Sequence, residues 1–144
     1  MRLDDTTRTR ILAAITGLLT IVAGVAVRRW LPPGFWSKYS GVALWALVAY
    51  ALTVFVRPRA RVARCFIAAL LISWAVEFAQ ITPLPGWLSS KHPLLRMIFG
   101  EYFSFKDLPA YAVGVLLGAV MHGLIRKRSE RMGSNAAQDA MDGD

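Results

Sequence analysis

Residues 65–81 read CFIAALLISWAVEFAQI: seventeen residues with one charge, Glu77, and no glycine or proline. As a helix this run rises about 25 Å, close to the ~30 Å hydrocarbon core of a bilayer. Three further runs share its character. Residues 11–27 carry no charge, residues 41–56 carry none and are extended outward by Tyr39 and Ser40, and residues 108–125 carry only one histidine. All four lie at the short end of the roughly 17–25 residues a spanning helix uses. Tyr, Trp and Arg at their edges lengthen them by reaching to the interface. Backbone exposed to lipid must satisfy its hydrogen bonds within its own segment, so four spanning helices are the economical reading. The expected fold is an all-α integral membrane bundle of four transmembrane helices over residues 11–125. A cytoplasmic N-terminus, 1–10, precedes it and a disordered cytoplasmic tail, 126–144, follows.

Composition agrees. Hydrophobic residues are 56% of the 144 and charged residues 18%, against about 45–50% and 25% in soluble domains. This excludes a disordered chain and a disulfide scaffold, and it argues against a water-soluble enzyme. The net charge of +8 falls in clusters between apolar runs, which points to a membrane and away from nucleic acid. Cys65 is the one cysteine, so it forms no internal disulfide and reads as a packing residue. The first span follows Arg8 and Arg10, as a signal peptide would. Its apolar run is too long for a signal core, and Arg28 and Arg29 follow without a small-residue cleavage site, so it is expected to remain as a span.

Lysine and arginine set the orientation. Eleven lie in the N-terminus, the second loop and the C-terminus, and six in the first and third loops. Both termini are therefore expected in the cytoplasm. Arg57, Arg59, Arg61 and Arg64 read as topology determinants with weak attraction for anionic lipid. Trp30, Trp36, Tyr39, Trp45 and Trp87 read as an aromatic belt.

The connection 82–107 is long, broken by Pro83, Pro85 and Pro93, and apolar in its second half. It is expected to lie in the headgroup region or dip back between the helices, with Pro93 opening a short interfacial or re-entrant helix. Long loops of this kind are often functional.

The polar residues inside the apolar frame are the candidate site. Glu77 lies four residues from the outer end of its span and shares a helix face with Ser73, Trp74 and Gln80. An intramembrane carboxylate needs a partner, water or a proton. Glu77 is either a polar helix-packing contact or a substrate or proton site. Asp107 opens the fourth span, where a carboxylate also serves as a helix N-cap, with Pro109 tolerated in the first turn and Tyr111 one turn on. Gly114 and Gly118 form a GxxxG spacing, flanked at four-residue steps by Ala110 and His122, and read as a helix-packing stripe. His122 is far from the acids and reads as structural, and no metal site or cofactor is expected. Arg96, in the apolar half of the loop, can take a carboxylate or a phosphate in forked geometry. Glu77, Arg96 and Asp107 share the outer side, as a salt-bridge cluster or as an anionic-headgroup site.

Taken in order, Glu77-x-x-Gln80 at the end of a span, Arg96 in the next loop, Phe105-x-Asp107, Tyr111 and Gly114-x-x-x-Gly118 resemble the VanZ-like proteins, small membrane proteins of bacteria. The pattern, with a Trp-bearing second span at 41–46, is most similar to the domain-of-unknown-function family 2809. The resemblance covers roughly residues 11–125, and 73–118 most specifically. It implies a multi-pass protein of the bacterial inner membrane. VanZ is associated with low-level resistance to a lipoglycopeptide antibiotic, and the closer family brings no assigned activity.

Three functions fit. The first is an outward-facing polar pocket of Glu77, Gln80, Arg96, Asp107 and Tyr111. It would bind or move an anionic lipid or lipid-linked envelope precursor, with Arg96 on phosphate and Glu77 gating by protonation. Transport through so few spans would call for a homo-oligomer. The second is an accessory subunit of a larger membrane complex, packed through the GxxxG face. The third is a lipid-phosphate enzyme, which the lack of a recognisable nucleophile–base pair argues against. No catalytic residue is assigned, and membrane lipids are the expected partners.

Overall fold

The computed structural model describes residues 4–83, 87, 90–91 and 103–142. It holds four long helices and, among the described residues, no strand: α1 (Asp5–Trp30), α2 (Phe35–Val56), α3 (Val62–Ala79) and α4 (Asp107–Asp142). Each contains a segment long and apolar enough to cross a membrane, the one in α4 being Asp107–Ser129.

Local chemistry sets the helix ends. Asp4 caps α1 by accepting the Thr7 N–H at 3.3 Å. Hydrogen bonds from Thr7, its hydroxyl first and its backbone N–H after, hold the Asp4 carboxyl below its ordinary range. Arg28 and Arg29 complement the dipole in the last turn of α1. Pro32 and Pro33 then stop the helix. Pro58 ends α2 in the same way, and Pro83 follows α3. The helices run longer than the apolar runs that mark them, because their basic and aromatic flanks stay helical.

The chain folds up and down. α2 is central: it packs on α1, α3 and α4, and α3 packs on α4. The contacts are built from small residues, as expected where close approach replaces hydrophobic exclusion. Ala46, Ala69 and Val115 are fully buried, and Ala13, Tyr50, Val54, Cys65, Tyr111 and Ala119 complete the core. Only 17–28% of each span's most apolar window is buried inside the protein. Leu18, Leu19, Leu71, Leu116 and Leu124 face outward. In water such a surface would be far larger than the patches monomers expose; against lipid it is the expected exterior. The protein is a multi-pass membrane protein.

α4 does not stop at the membrane. Where the sequence reading sets 126–144 apart as a disordered tail, the helix continues past Ser129 to Asp142. No proline lies between 110 and 142, and Arg, Met, Gln and Ala, all good helix formers, recur through 126–142. Polar composition there marks the end of the apolar segment and not the end of the helix.

Two ends of the bundle result. The start of α1, the α2–α3 link and the outgoing part of α4 share one end, joined by the bond from Arg59 Nε to Thr6 Oγ1 at 3.1 Å. This is the terminal end of the bundle. The α1–α2 link, the end of α3 and the start of α4 share the opposite end.

Candidate polar site at the end of α3

Glu77 is 1% exposed. Its carboxylate accepts two hydrogen bonds from outside its own helix: the Ser104 N–H at 2.6 Å on Oε1 and the Tyr111 hydroxyl at 2.8 Å on Oε2. A buried carboxyl group without partners would be very costly, and these two donors offset that cost.

Ser104 is the junction of the site. Its N–H goes to Glu77, its carbonyl accepts the Asp107 N–H at 2.9 Å, and its hydroxyl accepts from Lys38 Nζ at 3.5 Å. Lys38 also pairs with Asp107 at 2.9 Å. The Asp107 side chain is 9% exposed and that of Lys38 is 49% exposed. The ion pair therefore reaches from the buried cluster to the surface. Lys38 stands in the first turn of α2, where a cation opposes the helix dipole; the Asp107 carboxylate relieves that conflict. Asp107, in the first turn of α4, is itself favoured by the dipole there.

The end of the connecting segment lies against α3. Phe103 stacks on Phe78 with centroids 5.9 Å apart, and Phe105 meets Phe103 edge-on at 4.5 Å. These contacts hold Ser104 beside Glu77.

The structure thus brings Glu77, Asp107 and Tyr111 together from α3 and α4. Gln80 is the C-cap of α3, half-buried, with its N–H on the Glu77 carbonyl at 3.0 Å. Ser73, on the same face, is fully buried and returns its hydroxyl to the Ala69 carbonyl at 2.9 Å. Arg96 lies outside the described residues, as does the helix expected to open at Pro93. Lys38 and Ser104 are members that sequence reasoning missed. Lys38 enters the sequence reading only within the count of basic residues in the first loop, although a lone lysine opening an apolar helix carries a signal: it needs an anion nearby. Ser104 carried none, because its role runs mainly through its backbone.

The glycine stripe of α4 faces α2. A Cβ on Gly114 would run into the Ala43 carbonyl and stand 2.9 Å from Ala46 Cβ; one on Gly118 would meet the Tyr50 ring at 2.7 Å. The GxxxG face is thus occupied within this chain. Beyond Gly118, His122 Nδ1 and the Tyr50 hydroxyl lie 3.0 Å apart, buried near the terminal end. No group of three or more His, Cys, Asp or Glu that would hold a metal occurs among the described residues.

The family described as "Protein of unknown function (DUF2809)" matches residues 31–115, from the link before α2 to the first turns of α4. That match includes Lys38, Glu77, Ser104, Asp107, Tyr111 and Gly114. No curated protein and no solved structure matches the chain.

Proposed function

Because the chain belongs to the DUF2809 family, whose description assigns no activity, we propose a function from the site itself: binding of an anionic lipid or lipid-linked envelope precursor at the Glu77 end of the bundle. One observation carries this reading. A fully buried glutamate, held by two other segments, stands one residue network away from a half-exposed lysine. Ionisable groups at membrane depth are functional-site hypotheses by default. The cluster also carries a half-exposed cation, Lys38, which in this reading would meet the headgroup. A ligand phosphate would share Lys38 with Asp107, and Arg96 would join from the loop. Protonation of Glu77 would change how it holds Ser104 and Tyr111, and so the position of the Lys38–Asp107 pair.

The basic residues gathered at the terminal end favour placing both termini in the cytoplasm and the site on the outer face of a bacterial inner membrane. The likeness to VanZ-like proteins fits an envelope role. The accessory-subunit alternative is disfavoured by Gly114 and Gly118 already packing on α2.

The test is retention of a polyprenyl phosphate by the purified protein, read by native mass spectrometry. Wild type is expected to retain one molecule, and Lys38→Gln and Glu77→Gln to weaken retention about tenfold, the scale of losing one charge-assisted contact. Equal retention by all three proteins would sink the proposal.

A further inference from the structure

The terminal end of the bundle holds a second feature, unconnected with Glu77. A cavity of about 630 Å³ lies between α1, α2 and α4, within the ~300–1,000 Å³ usual for small-ligand sites. Its inner part is formed by Thr16, Leu47, Tyr50 and Gly118, and its mouth by Arg8, Arg59 and Arg126 together with Asp4 and Asp5. A smaller space of about 310 Å³ adjoins it and adds Arg128.

We infer that this cavity is a binding site for one anionic glycerophospholipid of the leaflet on the terminal side. Four observations carry the assignment. The first is depth. From Thr6 to Thr16 the wall on α1 rises about 15 Å, first along the polar residues 6–10 and then, for about 8 Å, within the apolar run that opens at Ile11, so it leads from headgroup level into one leaflet. The second is the wall's chemistry. Leu12, Leu47, Val54, Met121 and Ile125 are apolar. Two of the lining threonines have engaged hydroxyls: Thr9 donates to the Asp5 carbonyl at 2.8 Å and Thr6 accepts from Arg59 Nε at 3.1 Å. The third is charge. Three arginines face two aspartates at the mouth, with Arg128 in the adjoining space, and the Asp4 carboxylate already caps α1.

The fourth observation concerns His122. It is 8% exposed, lines the cavity, and has Nδ1 on Tyr50 while its buried Nε2 has no hydrogen-bond partner among the described residues. An unpaired buried ring nitrogen is costly. The His122 backbone lies one helical turn before that of Arg126 on α4, about 6 Å deeper along the axis. A phosphate at the arginines with an ester group one turn below it matches that spacing; a simple fatty acid has no second polar group to offer.

Native mass spectrometry of the purified protein with dioleoyl phosphatidylglycerol, dioleoyl phosphatidylcholine and oleate tests this. Wild type is expected to retain one phosphatidylglycerol, at least about tenfold more tightly than phosphatidylcholine or oleate. Thr16→Phe, which fills the inner end, should abolish retention. Arg59→Gln and His122→Phe should each weaken it severalfold, and Gly24→Ala, whose added methyl would meet nothing within 4 Å, should leave it unchanged. Circular dichroism melts confirm that each variant folds. Equal retention of the two phospholipids overturns the charge argument, and equal retention of oleate overturns the glycerophospholipid assignment. Retention by folded Thr16→Phe overturns the site. A loss confined to Glu77→Gln would place the lipid at the other end, and a lipid-free dimer would mean a second copy fills the cavity.

Discussion

Removing the Tyr111 hydroxyl should destabilise the bundle in proportion to the Glu77 contact it makes. The bond is 2.8 Å long, and its two residues are 5% and 1% exposed. Tyr111→Phe keeps the ring and its packing, so the change is confined to one buried oxygen, Glu77 Oε2, which loses its donor. Leaving such a group unsatisfied costs about 1–3 kcal/mol, and ~2 kcal/mol is the expected value here because the Ser104 N–H still holds Oε1. Glu77→Gln should cost a similar amount, since an amide has one acceptor oxygen for two donors. The two losses share one interaction, so the double variant should fall short of their sum by roughly 1 kcal/mol. Reversible unfolding in mixed micelles, followed by circular dichroism, measures all four proteins. Fully additive losses would refute the claim that Glu77 and Tyr111 act as one unit. A Tyr111→Phe loss below about 0.5 kcal/mol would refute the claim that the bond matters for stability.

Gly114→Ala should destabilise by about 1–3 kcal/mol, because its Cβ meets the backbone of Ala43, which cannot turn aside as a side chain would. Gly24→Ala has nothing within 4 Å and should be neutral or stabilise by about 0.5–1 kcal/mol through helix propensity; the same unfolding assay separates the two. In a Cys65→Ser background, cysteine placed at Lys38 should react with a membrane-impermeant maleimide on intact cells, while cysteine at Arg59 should react only after permeabilisation. The reverse pattern would invert the orientation. The cap of α1 should show in amide exchange. Asp4 titrates below its ordinary range, so its stabilising contribution is complete above the unfolded value of about 3.9 and is lost as pH falls through the lower folded value. Thr7 protection should follow that course in wild type and be weakened at all pH values in Asp4→Ala.

The four spans were legible because membrane depth imposes a length and a polarity that the runs 11–27, 41–56, 65–81 and 108–125 display openly. Glu77 was legible for the same reason, since a lone acid in such a run is an exception that must be accommodated. Its partner Tyr111 was found by helical spacing from Asp107. The link through Ser104 was not legible, because the bond to Glu77 comes from a backbone N–H that every non-proline residue possesses. Lys38 was masked by its second role as a topology residue. The length of α4 beyond Ser129 was not legible because polarity is shared by solvated helices and disordered tails; propensity alone separates them, and weakly. The cavity at the terminal end was invisible, since its lining comes jointly from α1, α2 and α4 and not from any one segment.

The central claim is that the acid buried at the end of α3 serves a function beyond holding the bundle together. The most direct test is complementation of a deletion strain with wild type, Glu77→Gln or Glu77→Asp, each brought to equal membrane abundance. Growth is then measured against a panel of envelope-targeting antibiotics. The expected result is rescue by wild type and none by Glu77→Gln despite equal abundance. Equal rescue by wild type and Glu77→Gln would contradict the claim and leave Glu77 as a structural contact between α3, Ser104 and α4.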